Sequence, residues 1–470
     1  MKHFSNGSVW RRLVVAPAVI GLVSTSVIFG YASSALKRPA REAVDVGYVQ
    51  TSRADADDGG GGDAPDPESR IHVRPQDPLD NYRASLTLLK KSYYHGPIDA
   101  RRTRTLTYEA IRGMLGSLRD QFTSFLDPDD WSQMKATTEG DFEGIGALLE
   151  QDGSQVRIVR PIETSPAEAA GIKTDDVVVS VDGVAVRGQG VNDVVHRIKG
   201  QEGTKVRLGI QRGKATLEFS LTRALIEPPV VQHWMEDRGN KIGHIVLSEF
   251  NEKSIAQMHR AYGELTAQGM RALIFDLRYN PGGLLETAED VASLFIPRDQ
   301  DTDLRNVVVY IHEGTGREKG DRLRTPGFTV KRMPTVVLVN GNSASASEIV
   351  SGALKDYGIA TLIGERTYGK GRVQTLYPLD DGSALRLTTA LYYPPRHYDI
   401  NFERDPDGAK IEGTGGILPD IEVKQSPKWH AEDFKDKVND LQLQSAVEFL
   451  RSRLNGKTVA EAREQLQILR

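Results

Sequence analysis

The chain has no cysteine among its 470 residues. That excludes disulfides, Cys-ligated zinc, iron–sulfur clusters and a thiol nucleophile together. Covalent chemistry would fall to Ser, Thr, Lys or carboxylates. A basic excess is also missing: 60 Lys+Arg face 64 Asp+Glu, a formal net charge of −4. Nothing in that balance drives binding to a phosphate backbone, so no nucleic-acid partner is expected. A mean hydropathy of −0.40 excludes a polytopic membrane protein. What is present is length enough for two or three domains.

Lys2, Arg11 and Arg12 precede an uncharged stretch from Leu13 to Leu36. As a helix rising about 1.5 Å per residue this stretch is ~36 Å long, enough to cross a ~30 Å hydrocarbon core. Small residues at Ser33 and Ala35 also resemble a cleavage site, so residues 1–36 are read as a signal anchor or signal peptide. The basic flank leaves the N-terminus in the cytoplasm and exports the rest to the cell envelope, on the periplasmic side of the inner membrane. Residues 37–76, centred on Gly59–Gly62, read as a disordered tether. Leu79, Tyr82, Leu86 and Leu89, then Tyr108, Ile111, Met114, Leu115 and Leu118, predict a helical region over 77–139, broken at Asp127-Pro128.

Between residues 140 and 224 the pattern changes to short strands with glycine turns: Val156–Arg160, Val177–Val181, and a hairpin of Lys205–Gln211 and Ala215–Leu221. Val191, Val194, Val195 and Ile198 mark one amphipathic helix. SPAEAAGIKTDDVVVSVDGV (165–184) and GTKVRLGIQRG (203–213) resemble a PDZ domain. The resemblance implies that the loop Gly144, Ile145, Gly146 and Ala147 points backbone N–H groups at a peptide's terminal carboxylate, beside an apolar groove along the helix. The chain departs from the usual Pro-Gly-Asp turn at Thr174-Asp175-Asp176. Gly140 and Pro228-Pro229 bracket this module as candidate hinges.

Residues 225–430 read as an α/β core. ALIFDLRY (272–279) is a near-continuous apolar run of the kind buried on both faces, followed by Asn280-Pro281-Gly282-Gly283 and a helix from Leu284. The same strand, turn and helix recur at Thr335–Asn340, Gly341–Ser345 and about Ala346–Lys355. In α/β folds sites lie at carboxyl ends of strands, so both small-residue turns are candidates. Ser345 and Glu348 are spaced as a capping box. A serine at such a turn is also exposed, with helix N–H groups beside it to stabilise an oxyanion. It needs a base: His244, His312 and His397 are available, and so is Lys370, set between two glycines. Desolvation would make that lysine a neutral base; an exposed hairpin tip would not.

DLRYNPGG (276–283), VNGNSASASEIVSGALKDYG (339–358) and GERTYGKGRVQ (364–374) resemble the carboxyl-terminal processing peptidases, also called tail-specific proteases, over roughly residues 77–423. The resemblance implies an exported serine endopeptidase with Ser345 as nucleophile, Lys370 as general base and Gln374 orienting the lysine. Its oxyanion donors would be the N–H of Ala346 and of Gly282 or Gly283, and Asp356 falls where some members have a supporting residue. Cleavage would pass through an acyl-enzyme without metal or organic cofactor, on protein or peptide substrates with accessible C-terminal tails. Between Pro395 and Gly413 the chain departs from the family pattern, returning at GILPDIEV (416–423). Two alternatives stay open: a silent PDZ scaffold, and a His-based triad. Residues 431–470 read as a helical region with Leu441, Leu443, Ala446 and Leu450 on one face, either packed on the surface or used for docking; a homo-oligomer, an adaptor and a membrane contact through an uncleaved anchor are left open.

Overall fold

The computed structural model describes residues 78–298, 303–322, 329–405, 410–426, 429 and 437–468. The anchor and tether expected over 1–76 lie outside these residues. Among the described residues no helix is long and apolar enough to cross a membrane. The chain divides near Met114 into two compact units.

In the first unit, helices Pro78–Ser92 and Ala100–Gly116 form where the periodicity predicts them. Tyr82 Oη donates to Thr107 Oγ1 at 3.2 Å. The first helix buries none of its residues, so its apolar stripe does not form a core; Leu79 is 57% exposed.

The second unit is a mixed α/β structure. Its central sheet has six strands, 231–237, 242–247, 272–276, 335–339, 361–364 and 421–422, in sequence order. All neighbours pair in parallel except the first two. Successive residues of a strand point to opposite faces, and both faces here are apolar. Leu273, Phe275, Val337 and Val339 join a cluster with Met258, Val291 and Val350 from the helices Ser254–Ala267, Leu285–Phe295 and Ala346–Asp356. Ala272, Ile274, Val336 and Leu338 face Leu443, Ala446, Phe449 and Leu450 of the Leu441–Leu454 helix, with Leu466 of Val459–Ile468. The C-terminal helices therefore cover the sheet's second face. Leu441, expected on the same stripe, is instead 42% exposed, because it opens the helix before the chain reaches the sheet.

A five-stranded sheet of 124–126, 384–393, 307–313, 318–322 and 372–378 stands beside this core. The small barrel expected at 140–224 has its own cluster, from Ile145 to Leu221. Phe142–Gly144 pairs with Ala224–Ile226, so the two chain segments leading into and out of the barrel run side by side. Gly140, a candidate hinge, is a packed helix cap: a Cβ there would lie 2.7 Å from Asn251 Nδ2. The unusual Thr174–Asp176 turn has its own logic, since the buried Asp176 carboxylate receives Arg212 Nε and Nη2, both at 2.7 Å.

Candidate active site

The fully buried Thr335–Val339 strand delivers the chain to the turn that starts the Ala346–Asp356 helix. Side chains build the turn. Ser343 Oγ donates to Leu277 O at 2.8 Å and accepts from Asn340 N–H at 3.0 Å. Ser347 Oγ donates to Asn280 O at 2.9 Å. Both flanking serines are buried and committed to structure. Ser345, half-buried between them, takes φ +55° and ψ −115°. A side chain at positive φ is strained by ~1–3 kcal/mol, and surrounding contacts must hold it there.

Those contacts come from the second glycine turn. A Cβ on Gly282 would lie 2.8 Å from Ser345 Cβ and 2.7 Å from Ala344 O, so only glycine allows this approach. Gly282 donates its N–H to Asn280 Oδ1 at 2.9 Å. Among the described residues the N–H groups of Gly283 and Ala346 have no acceptor. Tyr392 Oη donates to Ser345 O at 3.0 Å from the buried end of its strand.

Lys370 arrives on a neighbouring turn, where Tyr368 N–H donates to Ser343 O at 3.0 Å. The Glu348 carboxylate joins the two turns. It is fully buried and accepts from Ser345 N–H at 3.0 Å, Lys370 N–H at 2.8 Å, Gly369 N–H at 2.7 Å and Thr367 Oγ1 at 2.6 Å. Burial raises its pKa against the opposing effect of those donors. The Ser345–Glu348 capping box is thus present, and the glutamate does more than cap. Lys370 is no exposed tip: its Nζ stands 5.1 Å from the centroid of the buried Phe122 ring. Burial first, then the Arg386 charge, bring it down to about 8, against the pull of Glu348 and Asp120.

Other expected residues lie elsewhere. Gln374 Nε2 donates to Arg372 O at 3.3 Å, and among the described residues no hydrogen bond joins it to Lys370. Asp356, at the far end of the serine helix, accepts from Arg396 N–H at 2.9 Å and fixes the turn after the Ala384–Tyr393 strand. His244 is buried between Glu236 and Asp276, while His312 and His397 both face Glu318. No hydrogen bond among the described residues links these rings to Ser345.

The Peptidase family S41 pattern matches residues 241–423, and a PDZ domain pattern matches 144–212. A carboxyl-terminal-processing protease of Synechocystis sp. is 35% identical over 369 residues, 77% of this chain and 80% of the relative. The chain belongs to the carboxyl-terminal processing peptidases. A carboxy-terminal-processing protease of Bartonella bacilliformis is 36% identical over 329 residues, 68% of this peptidase and 70% of the relative. The solved photosystem II D1 C-terminal processing protease is 32% identical, with a TM-score of 0.41, over 73% of this peptidase and 86% of that chain.

In the PDZ domain of this serine-type peptidase, Gly144, Ile145, Gly146 and Ala147 line a groove opposite Val195 and Ile198. Lys199 closes that helix with Nζ 5.4 Å from the Phe142 ring. Two features of the peptidase escaped sequence reasoning. Phe122 reaches the lysine from far upstream, a contact no local pattern signals, and the Asp120 charge beside it favours the lysine's proton. Arg278, fully buried behind the Gly282 turn, donates to Asp276 Oδ2 at 2.7 Å and to both oxygens of Asp440 at 2.8 Å. The adjacent "DLR" was the available signal, because a buried arginine needs a carboxylate partner.

Proposed function

We propose that this peptidase captures the C-terminal tails of exported proteins in its PDZ groove and cleaves them with a Ser345–Lys370 dyad. Neutral Lys370 Nζ takes the Ser345 Oγ proton as Oγ attacks the scissile carbonyl carbon. The oxyanion accepts hydrogen bonds from the N–H of Ala346 and Gly283, since Gly282 already gives its own to Asn280. Collapse breaks the C–N bond, the Lys370 ammonium protonates the departing amine, and an acyl-Ser345 ester remains. Lys370 then takes a proton from water, whose oxygen attacks the ester and releases the new carboxylate while Ser345 regains its proton. Gln374 leaves Arg372 O to orient the amine in the working state. Asp356 supports the site through the Arg396 turn. Residues 1–36 place the enzyme on the outer side of the membrane, and the PDZ groove receives the terminal carboxylate at Gly144–Ala147.

One observation carries this reading: the buried, pKa-lowered lysine is tied through Glu348 to the backbone of a strained serine at a helix N-terminus. The test is cleavage of an unfolded reporter protein with an apolar C-terminal tail by the full chain. Ser345→Ala and Lys370→Ala are each expected to abolish cleavage with the fold intact, while His244→Ala, His312→Ala and His397→Ala retain chemistry when folded. Wild-type protein that binds the tail without cutting it, under any condition that supports a related peptidase, contradicts the proposal and favours a scaffold.

A further inference from the structure

The strand that follows the Lys370 turn is a sheet edge. Arg372–Pro378 pairs along one side with Ala384–Tyr393, and among the described residues no strand lies on its other side. Its start is fixed to the nucleophile: Tyr392 donates its N–H to Gly371 O and its Oη to Ser345 O, both at 3.0 Å. A chain laid along this edge leads to the Ser345–Lys370 pair.

Hydrogen bonds at the two ends of the strand fix which backbone groups point outward. In an antiparallel pair, successive residues alternately face the partner strand and face away from it. Gly371 O accepts from Tyr392 N–H, and Leu379 N–H donates to Ser383 O at 2.8 Å, so the odd-numbered positions from 371 to 379 face the partner strand. Thr388, opposite Gln374, agrees with this: it sends its N–H the other way, to Thr123 Oγ1 at 3.1 Å. The N–H and C=O of Arg372, Gln374 and Leu376 therefore point out of the sheet. Among the described residues the backbone groups of Gln374 and Leu376 have no hydrogen-bond partner on that side, and Arg372 O receives only Gln374 Nε2, at 3.3 Å.

An open edge is a liability that folds blunt with charge, bulges or proline. The far edge of the same sheet, Glu318–Arg322, reads EKGDR. By contrast, residues 373–377 read VQTLY, uncharged and rich in strand formers, with Pro378 only at the end.

We propose that the outward edge of residues 372–376 binds the scissile segment of the substrate as an added β-strand, through main-chain hydrogen bonds to Arg372, Gln374 and Leu376. The ligand is unfolded polypeptide in extended form, recognised by its backbone and not by one side chain. A substrate N–H takes Arg372 O from Gln374 Nε2, and the freed amide turns to Lys370. This rests on the reading of Ser345 and Lys370 as the reacting pair.

The test is a scan of the peptide that spans the reporter's cleavage site, each copy carrying one N-methylated amide, with the full chain as enzyme. Main-chain pairing predicts a lower kcat/KM at alternate residues on one side of the scissile bond, about three- to tenfold per lost bond, with little change between them. Leu376→Pro ties that alternation to this edge: the lost N–H faces away from the ladder, as proline in an edge strand requires, and the ring fills the place of the added strand. Reporter kcat/KM then falls and the alternating penalties vanish, whereas Leu376→Ala, which keeps the N–H, retains them. Penalties that do not alternate in wild type, or that persist in Leu376→Pro, overturn the proposal. Should Leu376→Pro fail to fold, hydrogen exchange in Ser345→Ala decides: the Gln374 and Leu376 amides slow when the unmethylated peptide is added, and unchanged exchange overturns the proposal. If Lys370→Ala cleaves as wild type does, the base assignment itself fails; if it is inert while the wild-type scan lacks alternation, only the edge proposal fails.

Discussion

Ser345 and Lys370 are tied through one atom: Glu348 Oε2 accepts the backbone N–H of Ser345 at 3.0 Å and that of Lys370 at 2.8 Å. The spacing of the two turns therefore depends on a carboxylate that also sits in the first turn of the serine helix. Glu348→Gln replaces one oxygen by a donor that faces other donors. Each buried group left unpaired costs ~1–3 kcal/mol, and a displacement near 1 Å costs about 100-fold in rate. Reporter cleavage is expected to fall by about that factor, with a lower unfolding midpoint in urea. Near wild-type kcat/KM in a folded Glu348→Gln protein would contradict that dependence of the two turns on the carboxylate.

Gly282 and Gly283 separate function from fold. A Cβ at Gly282 meets Ser345 Cβ and Ala344 O at 2.8 and 2.7 Å, whereas one at Gly283 meets Phe250 O at 2.0 Å. Gly282→Ala is expected to abolish cleavage by pushing the nucleophile out of place while the protein stays folded. Gly283→Ala breaks the backbone junction with Phe250 and lowers the thermal midpoint more. Thermal melts and cleavage assays on both variants check the order.

Lys370 stands at about 8 in the free enzyme. Its folded pKa lies below the ordinary lysine value, and the working form is the neutral amine, so kcat/KM rises with pH and levels off above about 8. A profile flat from pH 6 to 9 would show that another group, or no group in this range, limits the rate.

Burial alone would raise Asp276, but the Arg278 charge and the His244 hydrogen bond hold it at about 2. A depressed carboxyl stabilises the fold above its ordinary pKa of about 3.9 and loses that contribution as pH falls toward 2. Urea midpoints are expected to be level at neutral pH and to drop between about pH 4 and 2. Asp440→Ala leaves Arg278 half-paired in the core and is expected to cost about 3 kcal/mol, read as a lower midpoint at pH 7.

The central sheet was legible because two-sided burial writes continuous apolar runs, as in ALIF and TVVLV, and because Gly-rich turns follow each. The serine and lysine turns were legible through small residues at strand ends. Glu348 was visible only as a cap; its bonds to Gly369 and Lys370 span more than twenty residues and leave no periodic trace. Phe122 was invisible for the same reason, since its contact with Lys370 joins positions 248 apart in the chain. The C-terminal helices looked like surface elements because a helix covering a sheet and one lying free share the same amphipathic stripe.

The most direct measurement is peptide mapping of the full chain after fluorophosphonate treatment, comparing wild type, Ser345→Ala and Lys370→Ala at pH 8.5. The account predicts a single adduct on the peptide containing Ser345 in wild type and none in either variant. An adduct on another serine, or undiminished Ser345 labelling in folded Lys370→Ala, would contradict it.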